Sequence, residues 1–204
     1  LAPCVSPEYF YPRKRNIQRD YILFLGRMDI YQKGLDLLLD AFSIICRKTS
    51  ILQLAAGGDM EFEKFRNMIA QRGLEDQIQL AGKVEGEAKY SLLSNCLFVC
   101  MPSRVETQGM VAMEAFAAGK TVVAFDIENL RETALQSHAV LVEPFDIKSY
   151  ARAMLFLLNN KEERNKLGNQ ARCFAKQHDW DSIAVRQEVF YTNIISKLKK
   201  NGDR

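Results

Sequence analysis

Short apolar runs alternate with amphipathic stretches along this chain from residue 21 onward. The runs at residues 21–25, 51–56, 78–81, 97–100, 121–124 and 139–142 are apolar nearly throughout, and each predicts a buried strand. Between the first two, Leu35, Leu38, Leu39, Phe42 and Ile45 recur at the period of one helix face. The same spacing predicts helices over residues 61–71, 87–94, 109–118 and 146–158. Strict alternation of the two element types predicts an α/β fold: a doubly wound parallel sheet of about six strands with helices on both faces. After the last strand the pattern becomes helix only, over residues 146–158, 161–176 and 182–199. In that helical C-terminal tail Ile183, Val189, Phe190, Ile194 and Leu198 form an apolar stripe although the sheet is already complete. Such a stripe needs a surface to cover it, either this domain's flank or an absent one.

The segment before the first strand reads differently. Residues 1–20 hold three of the five prolines, Pro3, Pro7 and Pro12, and end in the basic run Arg13, Lys14, Arg15 and Arg19. This is the chemistry of a linker, not of a domain core. With 204 residues and 48% apolar composition, the remainder suffices for one good core and no second large one.

Charge and cysteine usage narrow the function classes. The 28 Lys and Arg against 25 Asp and Glu leave a formal charge of +3, too small and too scattered to announce nucleic acid, while a small acidic ligand stays compatible. No apolar run reaches the length of a spanning helix and no signal-peptide layout opens the chain, so a soluble protein is expected. The basic run near residue 15 leaves peripheral contact with anionic lipid open beside the plainer reading of a solvated linker. Five cysteines with no Cys-x-x-Cys pair (Cys4, Cys46, Cys96, Cys100, Cys173) read as reduced, mostly buried thiols of a cytoplasmic protein.

In open parallel sheets ligands bind beyond the carboxyl ends of the strands, so the loops after the apolar runs carry the candidate chemistry. After the first run, Gly26-Arg27-Met28-Asp29-Ile30-Tyr31-Gln32-Lys33-Gly34 places two cations between glycines. Arg27 and Lys33 suit a phosphate, the one by its fork and the other as a point charge, and equally suit two solvated charges. After the second run, Gly57-Gly58-Asp59 permits close backbone approach to a ligand, as does any tight turn. After the fourth, Thr107-Gln108-Gly109 leads into a helix whose small and apolar residues demand burial. Its free N–H groups and positive dipole end make an anion site. Glu114, on its second turn, is a carboxylate that needs a hydroxyl or a cation as partner, whether a ligand's or the protein's own.

These residues together resemble the family 4 retaining glycosyltransferases of the GT-B fold. The resemblance rests on Gly26-Arg27, Lys33-Gly34, Pro102-Ser103, the pair Glu106 and Glu114 with seven residues between them, Ala117-Ala118-Gly119-Lys120 before Val122-Val123-Ala124, and His178-Asp179-Trp180 near the end. It implies a Rossmann-like donor-binding domain over residues 21–178, a hinge over 1–20, and a C-terminal helix over 179–204 that crosses back to a missing N-terminal domain carrying the acceptor site. Arg27 and Lys33 then neutralise the donor's diphosphate, and Glu106 meets the sugar's hydroxyls. The N–H groups of Gly109, Met110 and Val111 hold phosphate and sugar oxygens, and Glu114 accepts from the ribose. Gly26, and Gly57 or Gly58, let the backbone approach the donor, and Val84 lies where the base stacks. Thr107-Gln108 stands in place of the family's frequent Gly-Phe pair, which alters the lip of the sugar pocket.

The implied activity is transfer of a hexose or related sugar from a UDP-, GDP- or ADP-sugar to a glycan, lipid or small-molecule acceptor. No metal or other cofactor is implied; Asp179-Trp180-Asp181 imitates a metal motif but precedes a helix, where its acids act as caps. His138 and His178 read as ordinary loop and helix-end residues. Two other readings remain: a non-catalytic nucleotide-sugar-binding scaffold, and a sugar-nucleotide epimerase on the same fold.

Overall fold

A computed structural model describes residues 4–13, 20–46, 53–57, 60–131 and 138–202. Six strands form one parallel sheet: β1 (Tyr21–Leu25), β2 (Gln53–Gly57), β3 (Ile78–Gly82), β4 (Val99–Met101), β5 (Val122–Phe125) and β6 (Val140–Val142), in the order β3-β2-β1-β4-β5-β6. Their burial follows that order. The inner strands β1, β4 and β5 are buried at every position, whereas the edge strands β3 and β6 are mostly half-exposed. A strand covered on both faces has no solvent side, which is why these runs are apolar without alternation.

The helices α1 (Leu35–Cys46), α2 (Phe62–Gln71), α3 (Gly86–Asn95), α4 (Met110–Ala117), α5 (Glu128–Arg131), α6 (Ile147–Asn159), α7 (Lys161–Lys176) and α8 (Trp180–Gly202) fill the connections and the tail. Successive strand residues point to opposite faces, and two core clusters result. Ile22 and Phe24 of β1 join Leu35, Leu38, Phe42, Phe65 and Met154, so α1, α2 and α6 cover one face. Tyr21, Leu23 and Leu25 join Leu93, Met113, Phe116 and Ala171, so α3, α4 and α7 cover the other.

The expected doubly wound α/β sheet with helices on both faces is therefore the observed one, and several boundaries move. β4 runs from Val99 to Met101, two residues later in its start than the apolar run, although Leu97 N–H already donates to Tyr21 O at 2.8 Å. The one-turn helix α5 was not read from the sequence, since four residues are too short for a period to show. Of the second strand, Ile51 and Leu52 lie outside the described residues, as do Gly58 and Asp59 and the basic residues Lys14, Arg15 and Arg19.

The segment before β1 corrects the linker reading where it is described. Val5 and Tyr9 are buried in the second core cluster, a 3-10 turn spans Pro7–Phe10, and Val5 N–H donates to His178 O at 3.0 Å. Apolar side chains at Val5 and Tyr9 among the prolines were the overlooked signal. The tail departs from a packed domain in the opposite sense. On α8, Val189, Phe190, Ile194 and Leu198 are exposed, so the domain's own flank does not cover the stripe. Asp179 caps this helix by accepting from Ser182 N–H at 2.7 Å, and the hydrogen bonds of Ser182 hold its carboxyl below the usual range. All five cysteines are free; Cys96 and Cys100 alone are fully buried and Cys173 is exposed, fewer buried thiols than expected. Among the described residues no helix is long and apolar enough to cross a membrane.

Candidate functional site

The strand order reverses direction at β1 and β4, which are neighbours in the sheet. The connection after β1 leads to a helix on one face, and that after β4 to a helix on the other, so a crevice opens between the two loops at their carboxyl ends. Arg27 and Lys33 lie on the first loop, and Glu106 and Gly109 on the second.

The first loop is folded by its own polar groups. Asp29 accepts from Gln32 N–H through its carboxylate at 2.8 Å and from Lys33 N–H through its carbonyl at 2.9 Å, an Asx-type turn. A bond from Ile30 N–H to the Glu61 carboxylate, 2.9 Å, ties it to the start of α2. Gly34 closes the loop with φ +64°, and a β-carbon there would sit 2.0 Å from Pro102 O. Only glycine permits both the left-handed backbone and the approach of the second loop.

That second loop is zipped to the first. Arg104 N–H donates to Gln32 O at 2.9 Å, and the Arg104 guanidinium forks onto Asp36 at 2.8 and 2.7 Å while also donating to Tyr31 O. Burial alone would raise the Asp36 carboxyl, but the hydrogen bonds and charge of Arg104 outweigh it and hold it below the usual carboxylate range.

Across this seam Lys33 Nζ meets Glu106 Oε1 at 2.6 Å, and buried Ser103 donates to the same oxygen at 2.7 Å. The Lys33 and Glu106 side chains are only 14% and 11% exposed, so the pair is nearly desolvated. Arg27, by contrast, is exposed and donates to the Gln32 side chain at 3.0 Å. The structure thus joins Lys33 to Glu106 and leaves Arg27 as the solvated charge that the loop's composition allowed.

Gly109 begins α4 from the left-handed region, φ 62° and ψ 36°, with no side-chain cap. By helix geometry the first-turn N–H groups of Met110 and Val111 have no intrahelical acceptor. Glu114, one turn on, receives Tyr9 Oη at 2.8 Å and Lys89 Nζ at 2.7 Å, both on Oε1. Its Oε2 is buried without a hydrogen-bond partner in the structure. The partner that a half-buried carboxylate demanded is therefore a hydroxyl and a cation of the protein itself, on one oxygen only. Gly57 closes β2 beside Leu25, at the carboxyl edge where Gly26 begins the first loop. Val84 packs on the second core cluster, the one that also holds Tyr9 and Tyr90.

Residue types and sequence position missed Tyr9, Lys89, Asp36 and Arg104, and gave Ser103 no role of its own. Each acts on a partner far along the chain, as in the 105-residue separation of Tyr9 from Glu114, or is an unremarkable loop side chain. A cavity of about 210 Å³ lined by Ser94, Lys120, Lys161 and Arg164 lies near the amino ends of β4 and β5, at the other end of the sheet from this seam. Among the described residues no group of three or more His, Cys, Asp and Glu gathers to hold a metal. Chemically, a half-buried ammonium and uncapped helix N–H groups suit an anion, and Glu106 and Glu114 suit hydroxyl donors.

Comparison with known proteins agrees in family and fold. Residues 7–174 match the family described as glycosyl transferases group 1. A phosphatidyl-myo-inositol mannosyltransferase of Mycobacterium tuberculosis is 29% identical over 196 residues, covering 93% of this chain and 50% of that protein. Among solved structures, a sucrose-phosphate synthase from Thermosynechococcus elongatus superposes with a TM-score of 0.82 at 23% identity, over 95% of this chain and 52% of the other. HepE of Anabaena in complex with UDP and glucose superposes with 0.76 at 18% identity, over 93% and 54%. The chain spans about half the length of the curated relatives it matches.

Proposed function

The chain belongs to the glycosyl transferases group 1 family, and from that premise we propose that it is the donor-binding half of a retaining glycosyltransferase. In this reading it grips a nucleoside-diphosphate sugar in the crevice between the β1 and β4 loops and moves the sugar to a glycan, lipid or small-molecule acceptor. The observation that carries the reading is the nearly desolvated Lys33–Glu106 pair, set across the switch point on the loop that leads into the uncapped start of α4. A cation, helix-end N–H groups and a hydroxyl-binding carboxylate are what a phosphorylated sugar requires.

Departure of the nucleoside diphosphate builds negative charge on the bridging phosphate. Lys33, Arg27 and the N–H groups of Gly109, Met110 and Val111 stabilise that charge without a metal, the N–H groups being fixed by the backbone before the bond breaks. Glu106, freed from Lys33 as the phosphate takes over the ammonium, accepts from the sugar's hydroxyls. Glu114 accepts from the ribose through Oε2, Val84 lines the base site, and Gly26 and Gly57 leave room for the donor at the sheet edge; Gly58 lies outside the described residues. The acceptor site belongs to a companion half, for which the exposed stripe of α8 offers an apolar contact; the half-length coverage of the relatives supports this division.

Calorimetric titration with UDP, GDP and ADP, with and without magnesium, tests the reading. UDP is the first probe, since the HepE structure holds UDP and glucose. Metal-independent binding of one of the three is expected, and its loss in Lys33→Ala; equal indifference to all three would sink the proposal.

A further inference from the structure

We propose that Tyr9 and Lys89 are positioning residues for Glu114, occupying its Oε1 and so reserving Oε2 as the acceptor for the ribose diol of the donor. The inference rests on the donor-binding reading above and goes beyond it by making the ribose contact depend on two residues outside the β1 and β4 loops.

A carboxylate offers about four acceptor directions, and here two donors crowd onto one oxygen, Tyr9 Oη at 2.8 Å and Lys89 Nζ at 2.7 Å. The other oxygen is buried and accepts nothing. A buried acceptor without a partner is costly, and a vicinal diol supplies the donors it lacks. The two positioning groups also fix each other. The Tyr9 ring meets Tyr90 edge-on at 4.7 Å, and Lys89 Nζ lies 5.7 Å from the Tyr9 ring centroid. Burial and the Glu114 charge push the Tyr9 hydroxyl far above its ordinary value, so it stays a donor.

Tyr9 belongs to the segment before β1, itself held by Val5 N–H on His178 O and by Arg172 on Phe10 O. Ribose binding and the docking of that segment are consequently linked, and by reciprocity each strengthens the other.

The test compares affinities for the preferred diphosphate among UDP, GDP and ADP and for its 2′,3′-dideoxy analogue. Tyr9→Phe and Lys89→Met should each weaken the ribonucleotide by about tenfold, as loss of one bond to a charged group does. Both should leave the dideoxy analogue unchanged, and Lys89→Arg should restore ribonucleotide affinity. A loosened domain would weaken both nucleotides alike, and that result overturns the inference. So does wild-type ribonucleotide affinity in Tyr9→Phe and Lys89→Met while Glu114→Gln has lost it, an outcome that leaves the ribose contact standing. If Glu114→Gln binds as the wild type does, or the wild type binds none of the three, the donor-binding reading itself fails and the inference falls with it.

Discussion

Lys33 and Glu106 stand 73 residues apart in the chain and 2.6 Å apart in space. Removing one member of so nearly desolvated a pair leaves the other charged and mostly buried, which costs more than the pair contributes. Lys33→Met should therefore lower stability by about 2 kcal/mol, and adding Glu106→Gln should recover at least half of that. Urea denaturation of the single and double variants measures it, and additive losses would show the two residues to be independent. The Asp36–Arg104 fork makes a separate prediction in pH. Because the folded carboxyl is held low, the unfolded chain takes up its proton first as pH falls from about 3.9. The fork's contribution is thus complete above that value and is lost as pH drops through the lowered one. Arg104→Gln should flatten the acid limb of a Tm-against-pH curve; an unchanged limb would place the acid sensitivity elsewhere.

Between elements, the decisive joint is where the β1–α1 loop touches the β4–α4 loop. A methyl at Gly34 meets Pro102 O at 2.0 Å with φ already at +64°, so Gly34→Ala must part the loops. We expect a loss of about 3 kcal/mol together with loss of nucleotide binding, read by thermal melting and calorimetry; a variant of wild-type stability would mean that the loops give way easily. The tail helix α8 behaves in the opposite way. Phe190 is 60% exposed, so Phe190→Ser should change stability by less than about 0.5 kcal/mol, although the apolar stripe it belongs to calls for a covering surface. A fall of several degrees in Tm would show that α8 folds back onto the domain.

At the scale of the whole molecule, the chain spans half the length of its relatives, and under the proposed donor-binding role it should bind a donor without completing transfer. Donor hydrolysis or transfer is expected when a companion half from a relative is supplied in trans, followed by release of nucleoside diphosphate, and no release from any pairing would favour a scaffold. Much of this architecture was legible in order of appearance. Apolar runs without alternation specify buried parallel strands, and the three-to-four-residue period between them specifies covering helices, because both follow from neighbours along the chain. The loops after β1 and β4 were legible as candidate sites for the same reason, since glycines, cations and a helix start stand together in the sequence. What the sequence by itself determined is therefore the element types, their succession and the position of the candidate loops. Only the tertiary structure decided that Lys33 pairs with Glu106 while Arg27 faces solvent, that Tyr9 leaves a proline-rich segment to reach Glu114, and that the stripe on α8 stays uncovered. These are contacts between groups 25 to 105 residues apart, or their absence. No local propensity encodes them; they exist because strand order brings β1 beside β4 and sets α3, α4 and the first residues on one face.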